Sequence, residues 1–113
     1  MKVKIYHQGV LVSANVKVAK TFADNLVGFM FSPRPEDDYG ILFETNSIQT
    51  TFMRFELDLV FMNSSNTVIK VIRNMKPWRF TRFYFKAKKV LELPSGILPA
   101  SVKEGDVLEV QHV

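Results

Sequence analysis

Two apolar runs meet across four turn-forming residues, and this pattern constrains the chain more than any other. Runs 57–62 and 67–72 flank Asn63-Ser64-Ser65-Asn66. Asn and Ser bend a chain by bonding their own backbone, so the pair reads as a hairpin with a four-residue loop. The same rhythm recurs at 3–6, 10–18, 40–43, 79–85, 87–93 and 107–110. These runs are rich in Val, Ile, Leu and Phe, which suit a pleated, half-buried surface. Short strands with a turn every ~8–12 residues predict a sandwich or barrel. Thr21-Phe22-Ala23-Asp24 has the spacing of a capping box, and Gly28 can end a helix. The expected fold is therefore mainly β, a compact sandwich or barrel-like single domain over residues 1–113, with one short helix near residues 21–28.

The 113 residues allow one hydrophobic core and no second domain. There is no cysteine, which excludes disulfides, thiolate nucleophiles and thiolate metal sites. The start alternates polar and apolar residues and lacks the apolar run of a signal peptide. No stretch approaches the ~20 apolar residues of a membrane helix. A soluble, cytoplasmic protein is the expectation. Charge is unevenly placed. Eight of the fifteen basic residues lie in 70–89, with no acid among them. The rest of the chain sets seven basic residues against eleven acidic ones, a mildly acidic body with one basic segment.

Four blocks then resemble a known family. They are Gly28-Phe29-Met30, Gly40-Ile41-Leu42-Phe43, the run from Phe52-Met53-Arg54 through Leu57-Asp58-Leu59-Val60-Phe61, and Val90-Leu91-Glu92-Leu93-Pro94-Ser95-Gly96 followed by Gly105-Asp106. In this order and spacing, over about residues 19–110, the chain is similar to the uncharacterised bacterial and archaeal domain-of-unknown-function family numbered one-nine-two. Lys76-Pro77-Trp78-Arg79 resembles one branch, which has a Pro-Trp-Arg turn after the hairpin. The resemblance implies a compact β-sandwich-like fold with a short helix, and brings no reaction with it. Some members carry export signals, or lie near pilus or secretion genes. Relatives in this branch often place a Cys and a His three apart before the Phe-Met-Arg block. Here Asn46 and Gln49 stand there, and neither is a good transition-metal ligand.

Several residues invite a functional reading beside a plainer one. Arg54 and Asp58 lie in an apolar segment, where a charge needs a partner. They line an anion-fixing pocket, or Asp58 simply holds turn amides. Trp78 and Arg79 follow Pro77 and either stack on a ligand or cap the core. The basic segment with Phe80, Phe83, Tyr84 and Phe85 resembles a nucleic-acid surface in composition. Strand alternation would split those rings and send one set into the core. Glu92 and Asp106 could do acid–base work if they met; Asp106 reads more simply as a turn residue. Glu36-Asp37-Asp38 lacks the spacing of a calcium loop. His7 and His112 could meet through paired terminal strands, but two histidines make a poor metal site. Ser64, Ser65 and Ser95 have no nucleophile-elbow context.

The leading expectation is a non-enzymatic binding or assembly module, with no cofactor and no metal. Its contact residues are Gln49, Arg54, Asp58, Trp78, Arg79 and Arg82. Its partner is an acidic protein surface or a small polar ligand such as a saccharide. A hydrolase using Asp58 or Glu92, and nucleic-acid binding through residues 70–89, are the alternatives. A monomer or an edge-strand dimer is expected.

Overall fold

In the computed structural model, residues 1–19, 29, 33–35 and 38–113 are described. They build one seven-stranded sheet. The strands are β1 (Lys2–His7), β2 (Val10–Ala19), β3 (Gly40–Phe43), β4 (Leu57–Met62), β5 (Val68–Met75), β6 (Lys89–Pro94) and β7 (Leu108–His112). Their order is β5-β4-β6-β3-β2-β1-β7. β2 and β3 pair in parallel, and every other neighbouring pair is antiparallel. Mainly β architecture is thus as expected. The expected helix near 21–28 lies outside the described residues, and no described residue is helical. No helix among the described residues is long and apolar enough to cross a membrane.

Local chemistry explains both tight hairpins. Gln8 and Gly9 both take positive φ, the left-handed geometry that a two-residue turn needs to match strand twist. At the other hairpin, the Asn63 side-chain oxygen accepts from Ser65 N (2.9 Å) and Thr67 N (3.0 Å). Asn66 closes the turn with φ of 64°.

The sheet curls into a half-barrel, and its edge strands meet at one corner. Thr67 bridges Val107. Val68 N donates to Asp106 O (2.7 Å), Gly105 N to Val68 O (2.9 Å) and Leu108 N to Asn66 O (3.0 Å). Strand alternation then sorts the side chains onto two faces. The inner face buries Val3, Ile5, Val60, Met62, Leu91 and Leu93, with Leu98 and Val102 closing over them. The outer face buries Ile41, Phe43, Leu57, Leu59, Phe61 and Val90 beneath Phe29, Ile48, Met53 and Ala87. β4 is buried on both faces, which is why it reads as an unbroken apolar run. At Gly40 a Cβ would sit 2.6 Å from the Leu93 side chain and 3.2 Å from the Glu92 carbonyl. Only glycine lets β3 approach β6 this closely.

One expected strand is absent. Residues 79–85 form no strand, and their one β-bridge among the described residues is Gln49 to Phe80. Their partner is the non-repetitive loop 46–50, through Thr81 N to Ile48 O (2.9 Å) and Tyr84 N to Asn46 O (3.0 Å). A partner without a pleat cannot impose one. Loops 44–56 and 76–88 together cover the outer face.

Candidate functional site

Thr50 ties these two loops together. It is wholly buried. Its hydroxyl donates to Lys76 O (2.8 Å) and accepts from Arg79 N (2.8 Å). Its own N donates to Arg79 O (2.9 Å), and its carbonyl accepts from Trp78 N (3.0 Å) and Met53 N (3.1 Å). Both backbone groups and the side chain of one residue are therefore spent on locking two turns.

The locked turns hold two bulky aromatics in unusual backbone. Phe52 has φ of 61° and Trp78 has φ of 63°. A non-glycine residue there costs on the order of 1–3 kcal/mol and persists only when its surroundings over-determine it. The two rings meet edge to face, 4.7 Å between centroids. Yet Phe52 is 44 % exposed and Trp78 57 %.

The exposure continues along the loop. Phe80, Phe83 and Phe85 are 78 %, 61 % and 82 % exposed. The expected division into a buried and an exposed set of rings does not occur, because the segment has no strand pleat. Only Tyr84 turns inward, onto Phe61 (4.7 Å), with Arg82 5.9 Å over its ring. Phe83 and Phe85 stack on each other at 6.3 Å. Beside this loop lies an open groove of about 510 Å³, lined by Arg73, Lys76, Arg79 and Arg82 with Phe80 and Tyr84. No carboxylate lines it. Arg73 is engaged structurally, donating to the carbonyls of Leu98, Pro99 and Val102. Lys76, Arg79 and Arg82 are exposed.

The remaining expected site residues are distributed as follows. Gln49 is half-buried, and its Oε1 accepts from Thr51 N (2.7 Å), shaping the turn before Phe52. Arg54 is exposed, and no ion pair joins it to Asp58. Asp58 is buried, its two oxygens accepting from Asn74 N (2.8 Å) and Gly96 N (3.1 Å). Arg54 and Asp58 are therefore not paired with each other, and Asp58 pins the end of β5 to the turn after β6. Glu92 lies on β6, in register with Ile41 and Leu59 on the outer face, and is 5 % exposed. Burial pushes its carboxyl from the ordinary 4.5 up to about 8.

Asp106 belongs to the corner, where its Oδ2 meets His7 Nε2 at 2.9 Å and accepts from Lys103 N (3.2 Å). The His7 hydrogen bond, with the Lys103 amide, holds its carboxyl below the ordinary value. Glu92 and Asp106 thus serve separate places. His7 pairs with Leu108 and His112 with Val3, at opposite ends of the β1–β7 pair, so the histidines stay apart. Among the described residues no three His, Asp or Glu side chains cluster as a metal site. Asp38 instead ties its loop to β2, accepting from Ser13 Oγ (2.6 Å) and Ala14 N (2.9 Å); Glu36 and Asp37 lie outside the described residues.

Sequence reasoning missed Thr50 and Phe52. A buried hydroxyl that bonds chain 26 and 29 positions away leaves no local signature.

Fold and face together define a class: a small curled β domain that displays a locked aromatic pair beside cations, over a core with no metal cluster among the described residues. The chain belongs to the DUF192 family, described as Uncharacterized ACR, whose profile matches residues 3–110. A UPF0127 protein of Pyrococcus furiosus is 36 % identical over 107 residues, covering 90 % of this chain and 91 % of the relative. Another, of Thermococcus sibiricus, is 32 % identical over 98 residues, 80 % of this chain and 62 % of the relative. The crystal structure of a Novosphingobium aromaticivorans protein of unknown function shares the fold, with a TM-score of 0.77 at 20 % identity, over 96 % of this chain and 84 % of that one.

Proposed function

We propose that this protein is a non-enzymatic binding or assembly module that engages an acidic protein surface through Phe52, Trp78 and the flanking Arg54, Arg79 and Arg82. One observation carries the reading: two large aromatics are held exposed in left-handed backbone by a buried threonine. Strain maintained at the surface contributes nothing to a core, and it collects where a ligand must be met by a preset shape. Exposed Trp and Arg are the residue types that dominate protein interfaces. Gln49 supports the Phe52 turn, and Asp58 braces β5 behind the groove. A saccharide would use the Trp78 ring in the same way.

A second reading has one observation in its favour. Phe80, Phe83 and Phe85 are all exposed beside Arg82, Lys86 and Lys88, as in stacking platforms for single-stranded nucleic acid. The hydrolase reading, through Asp58 or Glu92, is weaker: backbone amides take both oxygens of Asp58, and Glu92, though its carboxyl is pushed up to about 8, lies buried between Ile41 and Leu59.

A thermal-shift panel separates these. Polyglutamate peptide, oligosaccharides and oligothymidylate are each tested at low and high salt against wild type, Trp78→Ala and Arg79→Ala. A probe at ~100 times its dissociation constant adds ~2.7 kcal/mol, several degrees for a domain of this size. A polyglutamate shift lost in both variants is expected. A shift with oligothymidylate alone, falling steeply with salt, selects the second reading. Shifts identical in wild type and both variants refute the site.

A further inference from the structure

We propose that the open end of the curl, where the 76–88 loop runs into β6, is a second site that binds a small amphipathic monocarboxylate of the fatty-acid type. A cleft of about 510 Å³ enters the inner face there, within the range of small-molecule sites and at the mouth of a barrel, where such sites recur. Val3, Val18, Leu42 and Val110 form its apolar floor. All four belong to or pack against the inner core.

The rim is polar and supplied by register. Phe43, the last residue of β3, pairs with Val90, and the next residue, Glu44, lines the same cleft as Lys89. Lys89 also pairs with Met62, an inner-face residue. Its Nζ donates to Asn66 Oδ1, at the hairpin turn that Asn63 fixes. The ammonium is therefore held at the mouth by a rigid element. Lys88 lines the same rim, as do His112 and Ser64. Two lysines against one glutamate favour an anionic head. Glu44 facing them disfavours a second negative charge, and the apolar floor asks for a tail. A singly charged carboxylate with an acyl chain satisfies all three conditions, its head on Lys89 and Lys88 and its tail on Val18 and Val110.

Octanoate is the probe, followed by calorimetric titration and by methyl chemical shifts of Val18 and Val110. Saturable binding is expected, with octylamine and the doubly charged succinate binding far more weakly. Lys89→Gln loses a charge-assisted contact and weakens binding about tenfold or more. Val110→Gln, which places a polar group in the floor, weakens it independently of the lysines. Melting curves confirm that both variants fold. Trp78→Ala leaves octanoate binding unchanged, which separates this site from the aromatic face. The assignment is overturned if octanoate shows no saturable binding, if octylamine binds as tightly, or if Lys89→Gln and Val110→Gln bind like wild type.

Discussion

The β4–β5 hairpin and the loop 76–88 that follows it are both rich in large apolar side chains, and they place them in opposite ways. In the hairpin, all six residues of β4 are buried. In the loop, Trp78, Phe80, Phe83 and Phe85 all stand in solvent, and Tyr84 and Ala87 turn in. Composition does not decide between these outcomes. The hairpin strand β4 has a regular partner on each side, β5 and β6, so its alternation is converted into two buried faces. The loop leans on another loop, through Thr50, and its rings go where local hydrogen bonds send them. Under the proposed function, these rings left outside a well-packed core form the face that meets a partner.

The comparison can be pressed hardest at Glu92, buried beside the hairpin residue Leu59. Its folded-state carboxyl titrates near 8 against an ordinary 4.5. Below the ordinary value this carboxyl is protonated in both folded and unfolded chains, and its burial costs least. As pH rises towards 8 the unfolded chain ionises first, so stability falls, by up to about 5 kcal/mol. Glu92→Gln should flatten that decline, in chemical-denaturation curves recorded from pH 4.5 to 8.5. A decline unchanged in the variant would mean the cost of burial lies elsewhere.

Next come matched phenylalanines. Phe61→Ala should cost about 3–5 kcal/mol, as for a fully buried ring. Phe80→Ala should stay within about 0.5 kcal/mol, as for an exposed position. Equal losses would erase the distinction between hairpin and loop. Thr50→Val keeps the shape and removes the hydroxyl, leaving Lys76 O and Arg79 N short of a partner. A loss of about 1–3 kcal/mol is expected, with the Trp78 fluorescence shifted as its turn loosens. A modest gain is expected last: Trp78→Gly relieves the positive φ and should stabilise by roughly 0.5–1 kcal/mol while abolishing partner binding. A destabilised Trp78→Gly would mean that the ring contributes packing rather than recognition.

The hairpin, the turn at Gly105-Asp106 and the mainly β class were legible because each is written within a few consecutive residues. The curl was not, since the order β5-β4-β6-β3 depends on pairings between distant segments. Around Asp58 the sequence says only that a charge in an apolar segment needs a partner, whether in a pocket shared with Arg54 or among turn amides. The actual partners of Asp58, the amides of Asn74 and Gly96, lie 16 and 38 positions away. The run 79–85 looked like a strand because its composition is right, but a strand also needs a pleated neighbour. Left-handed Phe52 and Trp78 carry no local mark at all, since no preference of those residues predicts them.

The corner where β5 meets β7 has a consequence for the order in which the molecule assembles in time. The β4–β5 hairpin closes over four residues, whereas the His7–Asp106 contact joins groups 99 positions apart. Loop closure over such a span carries its entropic cost before any contact compensates it. The hairpin should therefore form early and the corner last, leaving an intermediate whose inner face is still open to water. Pulse-labelled amide exchange should show the hairpin amides protected before Leu108, and the delay between them measures how long that face stays unguarded.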